Sequence, residues 1–498
     1  MPSTYEVLEA IQSQWIVALC TLLVSYQLSI VLYNLTFHPL AAFPGPFLGR
    51  CTLLWRLVAT MKGHMPQTLQ KQHQKYGPVV RVSPNELSFC TLQSYKDIYG
   101  FPPPGGAQCT KSGYYDIVGS GFKIPCVVSE RDPTLSGKKK KNLSAGFSPK
   151  ALAAQENIMH QHINAFIEGI GLESQKSSKG TDMVEWLAMT SFDLSGEMAF
   201  GEPFGCIASG KQHFWIDIIL QHLKEITLMD NLRRFPFLLT IINLCLSPIV
   251  APIREKHSQY SRDKVRDRIE KTTTRQDFLT GVAEKVKSGE VSLEEMTAHA
   301  STLIIAGGET TATTLAAAVL YTLKDPGTTK RLTDEIRSRF SSFEEITAAA
   351  AQQLPYVQAV INEAMRVHPA TAQGLPRVSP GLEIDGHWVP KGTDVFTCTW
   401  ATSRNPEYFD RPEEFRPERW TDPNSTDVTE ASQPFSLGYR ACMGRSFAYM
   451  EMSLVLCKLF YTYDLELEEK DIDWPAVSKH YSLWINAHYH VHARRRLS

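Results

Sequence analysis

Apolar and polar positions divide the chain into three stretches of different character. Trp15 to Leu35 reads WIVALCTLLVSYQLSIVLYNL, with no charged side chain. A run of about twenty such residues is long enough to cross a bilayer as one helix. A cleaved signal peptide is the alternative, but it would begin with basic residues, and this flank carries Glu6 and Glu9 with no Lys or Arg. Gln27 and two serines weaken the run, so a tilted or monotopic anchor is a further alternative to a full span. His38 to Pro46 (HPLAAFPGP) follows, and its prolines at 39, 44 and 46 predict a stiff extended connector. The chain therefore divides into residues 1–36, a tail and transmembrane anchor, 37–46, a Pro-rich hinge, and 47–498, the body.

Within the body, Tyr76 to Phe89 places β-branched residues before a Pro-Asn turn and a second short run, the pattern of a two-strand unit. Short strands are expected again at Leu382–Val389 and near Trp484–His492. Helical periodicity dominates elsewhere, so the fold class is mainly α with a minor β portion. The longest helix is predicted from Ser292 to Lys324, opened by a Ser292–Glu295 capping box and stopped by Asp325-Pro326-Gly327. It contains Ala306-Gly307-Gly308-Glu309-Thr310-Thr311. Two glycines inside a helix cost roughly 2 kcal/mol relative to alanine. The doublet predicts a close approach of the backbone to a flat partner, or a local widening.

A length of 498 residues exceeds the usual single core, so two domains or one large fold is expected. The formal charge of −1 argues against nucleic acid as a partner. The cysteines form no CxxC pair, which suggests neither a zinc site nor a disulfide framework and fits a reducing compartment. The first cations after the apolar run are Arg50, Arg56 and Lys62, which puts the body on the cytosolic side.

Chemistry concentrates in Phe435-Ser-Leu-Gly438-Tyr-Arg440-Ala-Cys442-Met-Gly444. One cysteine stands on a Gly-flanked loop that opens a helix, where backbone N–H groups favour thiolate over thiol. A thiolate there suits an axial ligand to haem iron. The stretch resembles the haem-binding signature of the cytochrome P450 family, Phe-x-x-Gly-x-Arg-x-Cys-x-Gly, at every fixed position. Ala306 to Thr311 is similar to the family's Ala/Gly-Gly-x-Asp/Glu-Thr-Thr/Ser motif. Glu363-x-x-Arg366 with Phe415-Arg-Pro-Glu-Arg419-Trp420 resembles its Glu-Arg-Arg cluster.

The resemblance implies a cytochrome P450 fold around a buried haem b, with Cys442 as the metal ligand. Phe435, Gly438, Gly444, Ala306 and Gly307 are implied to form the cofactor cradle, and Arg440, Arg377 and Lys140 to hold its propionates. The family usually has Arg at Lys140 and Trp or His at Ser136, so one propionate is expected to be less well held. Glu309 and Thr310 are the implied catalytic pair, a carboxylate and a hydroxyl that deliver protons during dioxygen activation. On the residues alone, Thr310 could equally bond back to a helix carbonyl while Glu309 remains a surface charge. Glu363, Arg366 and Arg419 are given a structural role. Lys138 to Lys141 form a basic patch that could dock an acidic electron donor or simply be solvated. Substrate contacts are expected from Phe101–Cys126, Ile305, Ala306, Ala370–Leu375 and Tyr481–Ile485, mostly apolar or small, which suits a lipophilic molecule.

The implied function is a membrane-anchored haem-thiolate monooxygenase. Its electrons would come from NADPH through NADPH–cytochrome P450 reductase, at the endoplasmic reticulum membrane with the catalytic domain facing the cytosol. The wording around Tyr33–Pro46 and Thr190–Glu202 resembles fungal microsomal members that hydroxylate or epoxidise terpenoid, polyketide or alkaloid intermediates. The alternative is a haem-thiolate isomerase or dehydratase of an oxidised lipid, which needs no external electrons.

Overall fold

The computed structural model describes residues 4–119, 121–235, 255, 258–270 and 277–496. The N-terminal run forms one helix, Thr4–Thr36, whose apolar stretch Gln14–Thr36 is exposed except towards its last turns, where Asn34 is buried. Its last turns are nevertheless clasped by the body: Asn34 donates to the Cys51 carbonyl at 3.0 Å, and Arg81 donates to the Asn34 carbonyl at 2.7 Å. The hinge is not the extended connector that its prolines predict. Residues 37–43 fold into successive turns, with Ala41 N–H donating to His38 O at 2.8 Å and Phe43 N–H to Leu40 O at 3.1 Å. Leu40 is fully buried, and burying it inside so short a segment requires the chain to turn. Only Pro44 to Pro46 is extended, where a Cβ on Gly45 would stand 2.3 Å from the Arg81 carbonyl oxygen.

Two helices form the axis of the body. Met183–Phe200 is buried along almost its whole length, as an all-round apolar helix must be, and it packs against Leu293–Lys324. This contact accounts for the glycine doublet. A Cβ on Gly307 would lie 2.7 Å from Ser195 Oγ, and one on Gly308 would lie 2.9 Å from the Phe192 ring. The doublet thus serves helix–helix approach, which corrects the expected flat partner for Gly307; the helix runs unbroken, without local widening. Half of the capping box forms: Ser292 Oγ accepts from Glu295 N–H at 3.1 Å, while the Glu295 carboxylate turns to His299 at 3.4 Å.

The β portion is minor, as expected. Its largest sheet runs in the order Val79–Ser83, Glu86–Phe89, Asp394–Thr397, Arg377–Val378, Thr110–Lys111, and its last pairing sets Lys111 directly opposite Arg377. Leu382–Ile384 and His387–Val389 form a hairpin, as do Lys479–Tyr481 and Leu483–Ile485. His490–Arg495 lies between Thr181–Asp182 and Tyr463–Leu467.

The helix Pro355–Val367 carries Glu363 and Arg366, both fully buried. Glu363 accepts from Arg366 Nε and an Arg366 terminal nitrogen at 2.8 Å each, and from Arg419 Nε and Trp420 Nε1 at 2.9 Å. Arg366 then donates to the carbonyls of Ser403, Pro412 and Glu414. This cluster fastens the irregular segment before the Cys442 loop to the helical core.

A second buried carboxyl has far fewer partners. Glu451, on the helix Arg445–Thr462, accepts from Ser191 Oγ at 2.6 Å, and its other oxygen has no hydrogen-bond partner among the described residues. Burial pushes its pKa up from 4.5 to about 8. The folded protein then holds a proton that the unfolded chain releases above pH 4.5, so stability falls as pH rises from 4.5 to about 8. Glu451→Gln removes that dependence. Denaturant midpoints measured at pH 5.5 and pH 8 are expected to diverge, with the variant gaining on the wild type by up to ~1.4 kcal/mol per pH unit.

Candidate functional site

The loop Phe435–Gly444 is held from both ends. Cys442 N–H donates to the Phe435 carbonyl at 2.8 Å, and the Phe435 ring packs on Tyr449 with centroids 5.4 Å apart. Gly438 has φ +65°, and a Cβ there would meet the Tyr99 carbonyl oxygen at 2.4 Å, so the position needs glycine. The helix Arg445–Thr462 starts directly after Gly444 and packs against the long helix Leu293–Lys324.

Cys442 is accessible to a water-sized sphere, yet burial is the strongest influence on its thiol. Both hold for an atom on the wall of an internal cleft. Burial pushes the thiol pKa up. The N–H groups of Gly444 and Arg445 and the charges of Lys140 and Arg445 pull it down without overcoming the rise. Sequence reasoning expected these N–H groups to favour thiolate by themselves. In the folded chain a thiolate needs a further positive partner, the role a metal ion fills.

The long helix is uncovered in its middle. Ala306 is exposed, and Leu303, Ile305 and Thr310 are partly accessible, in the middle of an otherwise buried element. Thr310 Oγ1 donates to the Ala306 carbonyl at 2.6 Å, which leaves its lone pairs to accept a proton donor. Glu309 is buried, not a surface charge, and burial raises its pKa to about 7, against a smaller opposing effect of Thr313. Thr313 in turn accepts from Asn486 at 2.8 Å.

The third part of the site is a cluster of cations. Arg377 is buried and donates to Tyr115 Oη at 2.8 Å. Its cross-strand neighbour Lys111 is also buried and donates to the carbonyls of Val127 at 3.2 Å and Val128 at 2.6 Å. Burial, with Arg440 and Arg377 adding repulsion, brings the Lys111 pKa down to about 6. Like charges placed directly across a strand pair are destabilising. The nearby Glu130 carboxylate is engaged by Lys139 at 3.1 Å. Two guanidinium groups beside an amine that a nearby anion would recharge fit an anionic group such as the propionates of a haem.

Lys111 escaped sequence reasoning. The available signal was its being the one charged residue between Phe101 and Tyr115. Lys140, expected to hold a propionate, instead donates to the Tyr439 and Ala441 carbonyls at 3.1 and 2.9 Å and so braces the cysteine loop. Ser136 is no gap, because it accepts a hydrogen bond from Arg440, which also donates to the Glu130 carbonyl at 3.0 Å. Of the four expected surface lysines, Lys138 and Lys141 are exposed; Lys139 is buried and Lys140 half-buried. Phe101 does not line the interior: it stands exposed against Tyr439, with ring centroids 4.6 Å apart, on the cysteine-loop surface. In the Tyr481–Ile485 turn, Trp484 is a core residue stacked on His368.

The arrangement agrees with what the chain resembles. The sequence model described as cytochrome P450 matches residues 44–491. A cytochrome P450 monooxygenase of Penicillium roqueforti, ORF9, is 52% identical over 459 residues, covering 92% of this chain and 90% of that protein. The monooxygenase BOT4 of Botryotinia fuckeliana is 45% identical over 482 residues, covering 96% of this chain and 91% of its own. The monooxygenase astJ of Aspergillus oryzae is 36% identical over 464 residues, covering 91% and 92%. A cysteine loop braced on the helical core, a long helix that opens beside a buried carboxyl, and this shared sequence together establish that the chain belongs to the cytochrome P450 family and is a monooxygenase.

Proposed function

We propose that the protein is a membrane-anchored haem-thiolate monooxygenase. It inserts one oxygen atom of O2 into a lipophilic small molecule, an intermediate of fungal secondary metabolism. The observation that carries this reading is the Cys442 loop braced by Lys140, which stands close to Arg440 and through it to the Lys111–Arg377 pair. Haem, when bound, supplies dioxygen activation at its iron.

The residues of the chain then divide the work. Cys442 Sγ would hold the iron, and Phe435, Gly438, Gly444 and Lys140 fix its loop. Lys111, Arg377 and Arg440 would hold the propionates, and Ala306 would border the bound group. Glu309, with a pKa near neutrality, can hold a proton and release it within the working pH range. Thr310 accepts that proton's hydrogen bond at the cleft. A proton-delivery pair of this kind has a use in oxygen insertion and none in isomerisation of an oxidised lipid.

Lys138, Lys141 and Tyr439 form an exposed basic and aromatic surface beside the cysteine loop, suited to an acidic flavoprotein. We assign to it NADPH–cytochrome P450 reductase as the electron source. The exposed apolar helix and the cations that follow it support a reading in which the protein sits at the endoplasmic reticulum membrane with its body in the cytosol.

The reading is tested first at the iron ligand. Cys442→Ser is expected to abolish the red-shifted Soret band of the reduced carbon monoxide complex, and an unchanged spectrum would end the assignment. For proton delivery, Thr310→Ala should retain haem and NADPH consumption while diverting electrons to peroxide, and Thr310→Ser should restore most of the product. A mutant whose NADPH use stays tightly coupled to product refutes the role of Thr310.

Lys111 gives a test with opposite signs in the two forms of the protein. Its folded pKa lies below that of a free lysine, so in haem-free protein the charge is a liability that grows as pH falls towards about 6. Lys111→Met should therefore stabilise the haem-free protein at pH 7, yet speed haem loss to apomyoglobin by about tenfold, the equivalent of one charge-assisted hydrogen bond. The same sign in both forms would remove Lys111 from the cofactor site.

A further inference from the structure

A narrow cavity lies beside the proposed haem site, with a free volume of ≈ 50 Å³. Its walls run into that site at two places: Pro376 continues to Arg377, and Tyr114 continues to Tyr115, the partner of Arg377. The lining departs from the apolar surface expected for a hydrocarbon substrate. Tyr114, Thr227, Thr371, Gln373 and Ser482 all face it. The side chains of Thr371 and Gln373 have no hydrogen-bond partner among the described residues, although both are partly buried. Thr227 and Ser482 hydroxyl oxygens stand 3.3 Å apart, within hydrogen-bond reach of each other.

Ser482 reaches this position at a cost in backbone strain. It is the turn residue between two short strands and has φ +66°, a left-handed conformation in which glycine would be at ease. Strained non-glycine residues that persist tend to mark sites of function. Here the strain presents a hydroxyl to the cavity.

The wall behind the cavity carries no spare charge. Arg56, Arg233 and Arg234 are matched by Glu86, Asp230 and Asp394 in one ion-pair network, with contacts at 2.7 Å for Arg56–Glu86, 2.8 Å for Arg56–Asp230 and 3.0 Å for Arg234–Asp394. Three cations facing three carboxylates leave neutral donors and acceptors as the groups offered to a ligand. The volume sets the size of what enters. One water occupies about 30 Å³ of liquid, so the cavity takes one oxygen-bearing group and not a ring skeleton.

We propose that this alcove binds a neutral hydroxyl or carbonyl group already present on the substrate. The lipophilic skeleton then lies across the cofactor face while its oxygenated end is held by Ser482, Gln373 and Tyr114. The inference rests on the monooxygenase reading and narrows it: the substrate has been oxygenated before it arrives. The reaction that supplies it is a hydroxylation, an alcohol oxidation or a cyclisation terminated by water capture. Because the Thr371 and Gln373 side chains have no partner of their own, a deoxygenated analogue that covers them without supplying one is disfavoured.

The test uses haem-loaded full-length protein in phosphatidylcholine nanodiscs, with α-cedrene and its alcohol cedrol, and valencene and nootkatol, as matched probes. Binding is read from the Soret shift each ligand induces. The alcohols are expected to bind about tenfold tighter than their hydrocarbons, the reverse of the order an apolar pocket gives, the difference being that of roughly one to two hydrogen bonds. Ser482→Gly relieves the backbone strain while removing the hydroxyl, so loss of folding does not cloud its result. It should erase most of the alcohol's advantage and leave hydrocarbon affinity unchanged, and Gln373→Leu should do the same. Alcohols that bind no tighter than hydrocarbons in the wild type, or variants that weaken both kinds equally, overturn the proposal. The carbon monoxide complex of the same samples separates the two readings. A wild type without the red-shifted band fails as a haem-thiolate protein, whereas a normal band with no preference for alcohols fails only the alcove.

Discussion

The path of the chain into the Cys442 loop depends on a single buried carboxylate. Glu363 accepts hydrogen bonds from Arg366, Arg419, Trp420 and the Arg416 N–H, and burial, which opposes its charge, is outweighed by the two guanidinium groups. A buried ion pair is of little net benefit unless its hydrogen bonds are nearly all made, and removing one partner strands the rest. In this protein the bonds reach outward. Arg366 grips the carbonyls of residues 403, 412 and 414, and Arg419 holds the Asp410 carbonyl and the Asp427 carboxylate. The segment so fastened has few regular elements of its own. Without the cluster, the path into Phe435–Gly444 would have no fixed register against the helical core.

The same principle divides the charged interior into two kinds of region. The network around Arg56 is closed, each cation facing a carboxylate, and it joins the helix Leu54–Met61 to the end of Phe214–Leu232 and to the central sheet. The cluster of Lys111, Arg377 and Arg440 is open, and the Lys111 pKa is depressed by burial first and by repulsion from Arg440 and Arg377 second. A closed network gives a neutral wall suited to uncharged ligands. An open one is a site for an anion. The two lie on either side of residues 371–377.

What could be read in the sequence was local. Ser292 and Asp325 mark the ends of the long helix because capping needs only neighbours within a turn, and both are seen to cap. The Glu363–Arg366 pair was legible for the same reason, being three residues apart on one helix face. Contacts across the fold were not. The glycine doublet is explained by Ser195 and Phe192, more than a hundred positions away, and no periodicity reveals that approach. Lys140 looked like a propionate ligand from its place in a motif, yet its reach is decided by the backbone carbonyls at 439 and 441. Lys111 was invisible until strand pairing set it beside Arg377. The hinge misled because prolines restrict turns and extended chain alike, and the choice between them was made by the burial of Leu40.

The pairing of Lys111 with Arg377 also bears on how the polypeptide completes itself. The strand that brings Lys111 in is two residues long and lies at the edge of the five-stranded sheet. A pair so short, with like charges opposed, has little to hold it, and an anion lodged between the cations turns that repulsion into attraction. Closure of this sheet edge and retention of the cofactor are then one equilibrium. The last strand works as a clasp that a bound anion would tighten, so order at this sheet edge and retention of the cofactor would be lost together.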